Sequence, residues 1–204
     1  MNLKLLYHLI ILFLLFGCID QSSEVSAKPD WGDIYNKSDR ISKGWKYIII
    51  HHSATKSGNA KGFHRFHTKQ GYGGLCYHFV IGNGKGAKDG EIQEGFRWKE
   101  QIAGTHVDIN SWYHNVFGIG ICLVGNIEKQ KPTEKQMGSL LKLVKKLMKE
   151  HNIKAENVIT HKTVPHGEMT WSNNSVNVQI KRNKFASTLC PGKKFSINKF
   201  RSKL

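Results

Sequence analysis

The chain has 204 residues, 39% of them hydrophobic and 23% charged, which suits one ordinary domain with a buried core and excludes a wholly disordered chain. Its 31 Lys and Arg against 15 Asp and Glu give a net charge of +16, a balance that attracts polyanions: nucleic acid, a membrane surface or an anionic cell wall. No zinc-finger spacing and no interleaved aromatic and basic pattern stands out, so nucleic acid is set aside as a partner.

Lys4 precedes an unbroken apolar run from Leu9 to Phe16, followed by Gly17-Cys18. A basic start, a short apolar core and a small residue at a cleavage point form an export signal, too short for a comfortable membrane span. Leu15-Phe16-Gly17-Cys18 also resembles a lipoprotein processing site, although Phe16 fits it loosely. Residues 1–17 are therefore expected to be a lipoprotein-type signal peptide, with Cys18 lipidated and the protein exported on a membrane anchor facing the periplasm or cell surface. Residues 18–44 are polar, with Ser22, Ser23, Ser26 and Pro29, and read as a tether to a single domain over 45–204.

Tyr47-Ile-Ile-Ile-His-His52 reads as a buried strand. Phe63, Phe66, His67 and Gln70 recur at helical spacing before Gly71, and a strand from Cys76 to Ile81 follows, closed by the turn pair Asn83-Gly84. A Gly-, His- and Asn-rich loop covers about 103–115, then Gly118 to Gly125 reads as another buried strand. Thr133 with Gln136 makes a capping box that opens the clearest helix, whose stripe of Met137, Leu140, Leu141, Val144, Leu147 and Met148 reads as plain core below a solvated lysine face. Asn157 to His161 looks like a strand ending in histidine, and 196–204 like a closing helix with Phe200 turned inward. Strands alternating with helices argue for an α/β or α+β domain: a mixed central β-sheet flanked by helices.

Eleven histidines are many for this length, and position singles out a few. His51 and His161 each end an apolar strand-like run, where a side chain can project into a cleft. Cys190 sits in Thr188-Leu-Cys-Pro-Gly192, a loop whose Pro and Gly fix its path. Two imidazoles and a thiolate make a familiar zinc set that leaves a fourth position for water, whose pKa the metal lowers to about 7. Spacing alone does not make this case, because the three residues are scattered.

Five segments, in order, carry a resemblance: Ile50-His-His-Ser-Ala-Thr55, Gly74-Leu-Cys-Tyr-His-Phe-Val80, Gly104-Thr-His106, Gly120-Ile-Cys-Leu-Val-Gly125 and Thr188-Leu-Cys-Pro-Gly192. Together they resemble the type 2 family of zinc-dependent N-acetylmuramoyl-L-alanine amidases, which includes amidase-type phage lysozymes and animal peptidoglycan recognition proteins. The resemblance runs from about Trp45 to the C-terminus and implies a zinc groove over a mixed sheet. It also implies His51, His161 and Cys190 as zinc ligands and Tyr77 and Thr188 as catalytic groups that steady an oxyanion. Since neighbouring strand residues face opposite sides, only one of His51 and His52 can face the groove, and the family pattern selects His51. Thr188 stands where some relatives carry lysine, and the glutamate that others carry on the Gly118–Gly125 strand is absent. His106 and Asn115 are candidates for contacting glycan or stem peptide.

The 162–187 stretch departs from the family, where the second histidine and the cysteine stand closer. It is expected to be an insertion acting as a lid or flap, and it makes His166 an alternative ligand to His161. Cys76 and Cys122 are read as buried thiols or a disulfide. The function implied is zinc-dependent hydrolysis of the amide between N-acetylmuramic acid and L-alanine in peptidoglycan or its fragments; the alternative is a module that binds muropeptide without cutting it. The positive charge further suggests anionic envelope polymers as partners.

Overall fold

The computed structural model describes residues 44–172 and 175–204. The expected signal segment, Cys18 and the tether up to residue 43 lie outside the described residues. Among those described, no helix is long and apolar enough to cross a membrane.

Five strands make the central sheet: β1 (Tyr47–His52), β2 (Phe79–Ile81), β3 (Ile92–Glu94), β4 (Gly118–Leu123) and β5 (Val158–Thr160), in the order β3-β2-β4-β1-β5. β4 and β5 both run parallel to β1, β2 runs parallel to β4, and β3 is antiparallel to β2. The sheet is mixed and flanked by helices, the fold class that the sequence implied. β1 and β4 are central, and their unbroken apolar runs follow from burial on both faces.

Around the sheet lie α1 (Ala60–Lys69), α2 (Phe96–Lys99), α3 (Trp112–Phe117), α4 (Glu134–His151) and α5 (Ile197–Arg201). α4 begins at the capping box, with the Gln136 amide N–H donating to the Thr133 hydroxyl at 3.0 Å, and ends at Asn152 in the left-handed region. Its buried stripe is rotated from the expected one: Leu143 joins Leu140, Val144 and Leu147, while Met137, Leu141 and Met148 are only partly covered. Gln136 is also buried, because its side-chain amide donates to the carbonyls of Ile81 and Val124 at 3.0 and 2.9 Å and so satisfies the ends of β2 and β4.

The sheet's two faces have different partners. Ile48, Ile50, Ile119, Ile121 and Leu123 pack against α4 and against Phe195 and Phe200 near α5. On the other face, Val80 and Cys122 pack with Leu75 and partly buried Tyr77, and Ile49 packs with Val107 and Val164. His51 pairs in register with Cys122, so the histidine lies on this second face.

Other expectations shift in detail. The strand expected from Cys76 begins only at Phe79, and the 103–115 loop contains a 3₁₀ turn at Ile109–Ser111 that leads into α3. The 162–187 insertion forms an antiparallel hairpin, β6 (Pro165–Ser172) with β7 (Ser175–Phe185), and β6 rests against α3 and that 3₁₀ turn. Cys76 and Cys122 are separate buried thiols.

Arg97, on α2, is fully buried. Its guanidinium donates to the carbonyls of Leu75 and Ala103, both at 2.6 Å, and of Tyr72 at 3.1 Å. One side chain thus ties the segment leading to Tyr77 to the segment leading to His106. Arg97→Met removes these charge-assisted bonds and leaves buried carbonyls bare, so it should lower stability by about 3–5 kcal/mol. A urea midpoint that falls at unchanged slope checks this.

Candidate metal centre

β1, the turn after β5 and the 188–192 loop bring His51, His161 and Cys190 together. Their ligand atoms all lie within 4.8 Å of one another, and His51 Nδ1 is 3.6 Å from Cys190 Sγ. Zinc about 2.05 Å from nitrogen and about 2.3 Å from sulfur, at the tetrahedral angle, separates those two atoms by about 3.6 Å. The donor set and this spacing fit zinc.

The tautomer of His51 follows from its neighbours. His106 Nε2 lies 3.1 Å from the Gly118 carbonyl, which can only accept, so this nitrogen carries the proton. His106 Nδ1 is then an acceptor and receives the Nε2–H of His51 at 3.1 Å. Nδ1 of His51 is left with a free lone pair directed at the centre. Burial holds both His51 and His106 well below the usual histidine pKa, so both rings are neutral at neutral pH. His161 is held at about 4, again chiefly by burial.

Cys190 is oppositely placed: burial pushes its thiol up to about 12, and the backbone N–H of His52, which donates to Sγ at 3.3 Å, pulls it down. A bound divalent cation supplies the charge that makes such a thiol a thiolate. The same loop is pinned to the histidine turn by Lys162 N–H donating to the Cys190 carbonyl at 2.9 Å.

His52 points elsewhere, its Nδ1 accepting from Ile127 N–H at 3.0 Å. His166 stands apart from the group, with Nε2 4.0 Å from Asp108 Oδ2. Tyr77 adjoins the centre, its ring centroid 5.2 Å from that of His51, and burial above all raises its pKa well above 10. Thr188 is two residues from the cysteine, with its hydroxyl accepting Cys190 N–H at 3.1 Å.

His106 and Asn115, the candidates for substrate contact, are both buried beside the centre. Asn115 Oδ1 accepts from the N–H groups of His106 and Val107 at 2.7 and 3.0 Å, and its amide donates to the Val107 carbonyl. The pair therefore acts inward, with Asn115 fixing the loop and His106 fixing His51. Two glycines make room for the His106 ring. A Cβ on Gly104 or Gly120 would stand 2.2 or 2.5 Å from His106 Cδ2. We expect His106→Ala to weaken zinc binding about 10–100-fold while leaving the three ligands in place. Competition with a chelator of known affinity measures it.

Sequence reasoning missed a cavity of about 340 Å³ beside Tyr77, walled by Phe63, Phe66 and His67 of α1 and by Ser53 and Thr55. The signal was present: α1 carries two phenylalanines yet buries no residue, and Phe66 is 59% exposed. Leu189, beside the cysteine, is 70% exposed.

The N-acetylmuramoyl-L-alanine amidase family matches residues 41–193. A peptidoglycan recognition protein of Trichoplusia ni is 24% identical over 147 residues, 67% of this chain and 75% of that protein. The solved structure of the N-acetylmuramoyl-L-alanine amidase LysC from Clostridium intestinale URNW is 26% identical with a TM-score of 0.60, covering 80% of this chain and 87% of its own. Peptidoglycan recognition protein LE, solved in complex with tracheal cytotoxin, a monomeric diaminopimelic acid-type peptidoglycan, shares the fold at a TM-score of 0.54 and 22% identity, over 77% of this chain and 79% of its own.

Proposed function

The chain belongs to the N-acetylmuramoyl-L-alanine amidase family, and from that premise we propose that it is a zinc-dependent hydrolase of the amide between N-acetylmuramic acid and L-alanine. The observation that carries the reading is the His51–His161–Cys190 group beside Tyr77. When bound there, zinc supplies an acidified water at neutral pH and polarises the amide carbonyl.

The protein's own residues would do the rest. His51, His161 and Cys190 hold the metal, and His106 keeps the first of them in the ligating tautomer. Tyr77, its pKa raised, stays protonated and can donate its phenol O–H to the oxygen on which charge develops. The Thr188 hydroxyl is held beside Cys190 by that residue's N–H and keeps its own O–H as a donor for the same oxygen. The cavity along α1 offers the aromatic walls of Phe63 and Phe66, surfaces suited to the apolar face of a sugar ring with its acyl substituents.

The test is direct: incubation with a purified muropeptide should yield a stem peptide with a free L-alanine amine and a sugar that keeps its lactyl carboxylate, both read by mass spectrometry. Muropeptide that is retained but intact would favour a binding module instead. Zinc uptake carries its own signature. With both ligand imidazoles neutral and Cys190 a thiol, binding at pH 6 should release about one proton per zinc, and affinity should rise as pH rises. Calorimetry in buffers of different ionisation enthalpy counts that proton.

As a lipoprotein anchored through Cys18, the enzyme would meet this substrate outside the cytoplasmic membrane. Radiolabelled fatty acid incorporated into the wild type and lost in Cys18→Ala would support that placement.

A further inference from the structure

The face of the sheet opposite the metal centre carries a groove of about 600 Å³ between α4 and the C-terminal segment. Its floor is apolar, formed by Met137, Leu141, Phe195 and Phe200. Lys131, Lys194, Lys199 and Lys203 rim it, all exposed, against Glu134 as the one acidic residue in its lining. Among the described residues, none of these four lysines is in an ion pair.

Gly138 also lines the groove, and it is an unusual residue for the interior of a well-capped helix, where glycine costs about 1 kcal/mol relative to alanine. No packing demands it, since nothing lies within 4 Å of where its Cβ would be. The space it leaves opens into the groove.

We propose that this groove docks the protein on an anionic phospholipid membrane, with an acyl chain or glycerol backbone over the apolar floor and phosphates among the rim lysines. Hydrocarbon satisfies the floor, whereas a hydrated anionic polymer has nothing to place there. A second copy docked groove to groove fits poorly, because it would bring four more lysines against the first four. The positive rim supplies the attraction, as basic residues do at anionic leaflets. Ile48, Ile50, Ile119 and Ile121 face this side and His51 the other, so a protein docked here turns its metal centre away from the bilayer. The assignment stands apart from the amidase reading, because the two sites lie on opposite faces.

Acetylation footprinting tests it on the full chain in vesicles. In phosphatidylglycerol vesicles, Lys131, Lys194, Lys199 and Lys203 should label about five-fold more slowly than in phosphatidylcholine. Lys61, Lys85 and Lys99, exposed elsewhere, should keep their rates. Gly138→Leu, which fills the groove, should abolish the protection, and Gly138→Ala, which barely intrudes, should retain it. Equal protection of all seven lysines, equal protection in both lipids, or protection indifferent to Gly138→Leu overturns the proposal. So does protection that soluble polyphosphate reproduces, or that appears without vesicles as protein concentration rises.

Discussion

Cys190→Ala is expected to cost at least about 10³-fold in peptide release and to leave the purified protein without stoichiometric zinc. In the proposed centre the sulfur is one of three ligands, and its loss would leave two neutral imidazoles, which are a weak site for a divalent ion. Cys190 is 9% exposed and its side chain sits between His51 Nδ1 and the His52 backbone N–H, so alanine removes little packing and the fold should persist. Circular dichroism unchanged beside lost zinc and lost activity separates the ligand role from a folding defect. A variant that keeps full zinc and activity would remove Cys190 from the centre.

Tyr77→Phe should behave differently. Zinc content should stay the same, because the proposed ligands are His51, His161 and Cys190, while kcat falls about 10²–10³-fold and KM changes little. A donor aimed at developing charge acts mainly in the transition state. Burial holds the Tyr77 phenol above its ordinary pKa in the metal-free protein, which suits it to donate rather than to act as a base, so the kcat profile should show no acid limb from this residue. A fall in kcat/KM carried wholly by KM would make Tyr77 a substrate-binding residue instead.

Much of the fold was legible from local pattern. β1 and β4 are buried on both faces, and a run such as Tyr47 to Ile50 has no other stable place; the capping box at Thr133 likewise announced α4. What escaped reading depended on contacts distant in sequence. Gln136 looked like a cap residue only, and its burial is intelligible once the ends of β2 and β4 are seen above it. The 162–187 stretch suggested only a lid or flap, although the alternation Val176-Asn177-Val178-Gln179-Ile180-Lys181 is a period-two strand signal for the hairpin it forms beside α3.

The site divides in the same way. His51, His161 and Cys190 are 29 to 139 residues apart, and only ordered resemblance, not spacing, could join them. His106 and Asn115 were placed in a loop and therefore expected at the surface. The glycines at 104 and 120 were the overlooked signal, since a ring lying over a sheet needs residues without side chains beneath it. Together with the buried Arg97, they show a centre supported from below by residues that never reach solvent.

The most direct test of the whole account is made on one sample: bound zinc per chain and L-alanine-terminated peptide released from purified peptidoglycan, before chelation, after it, and after zinc is restored. The account predicts about one zinc per chain and release that disappears with the metal and returns with it. Peptide release that continues undiminished in the zinc-free protein would contradict it.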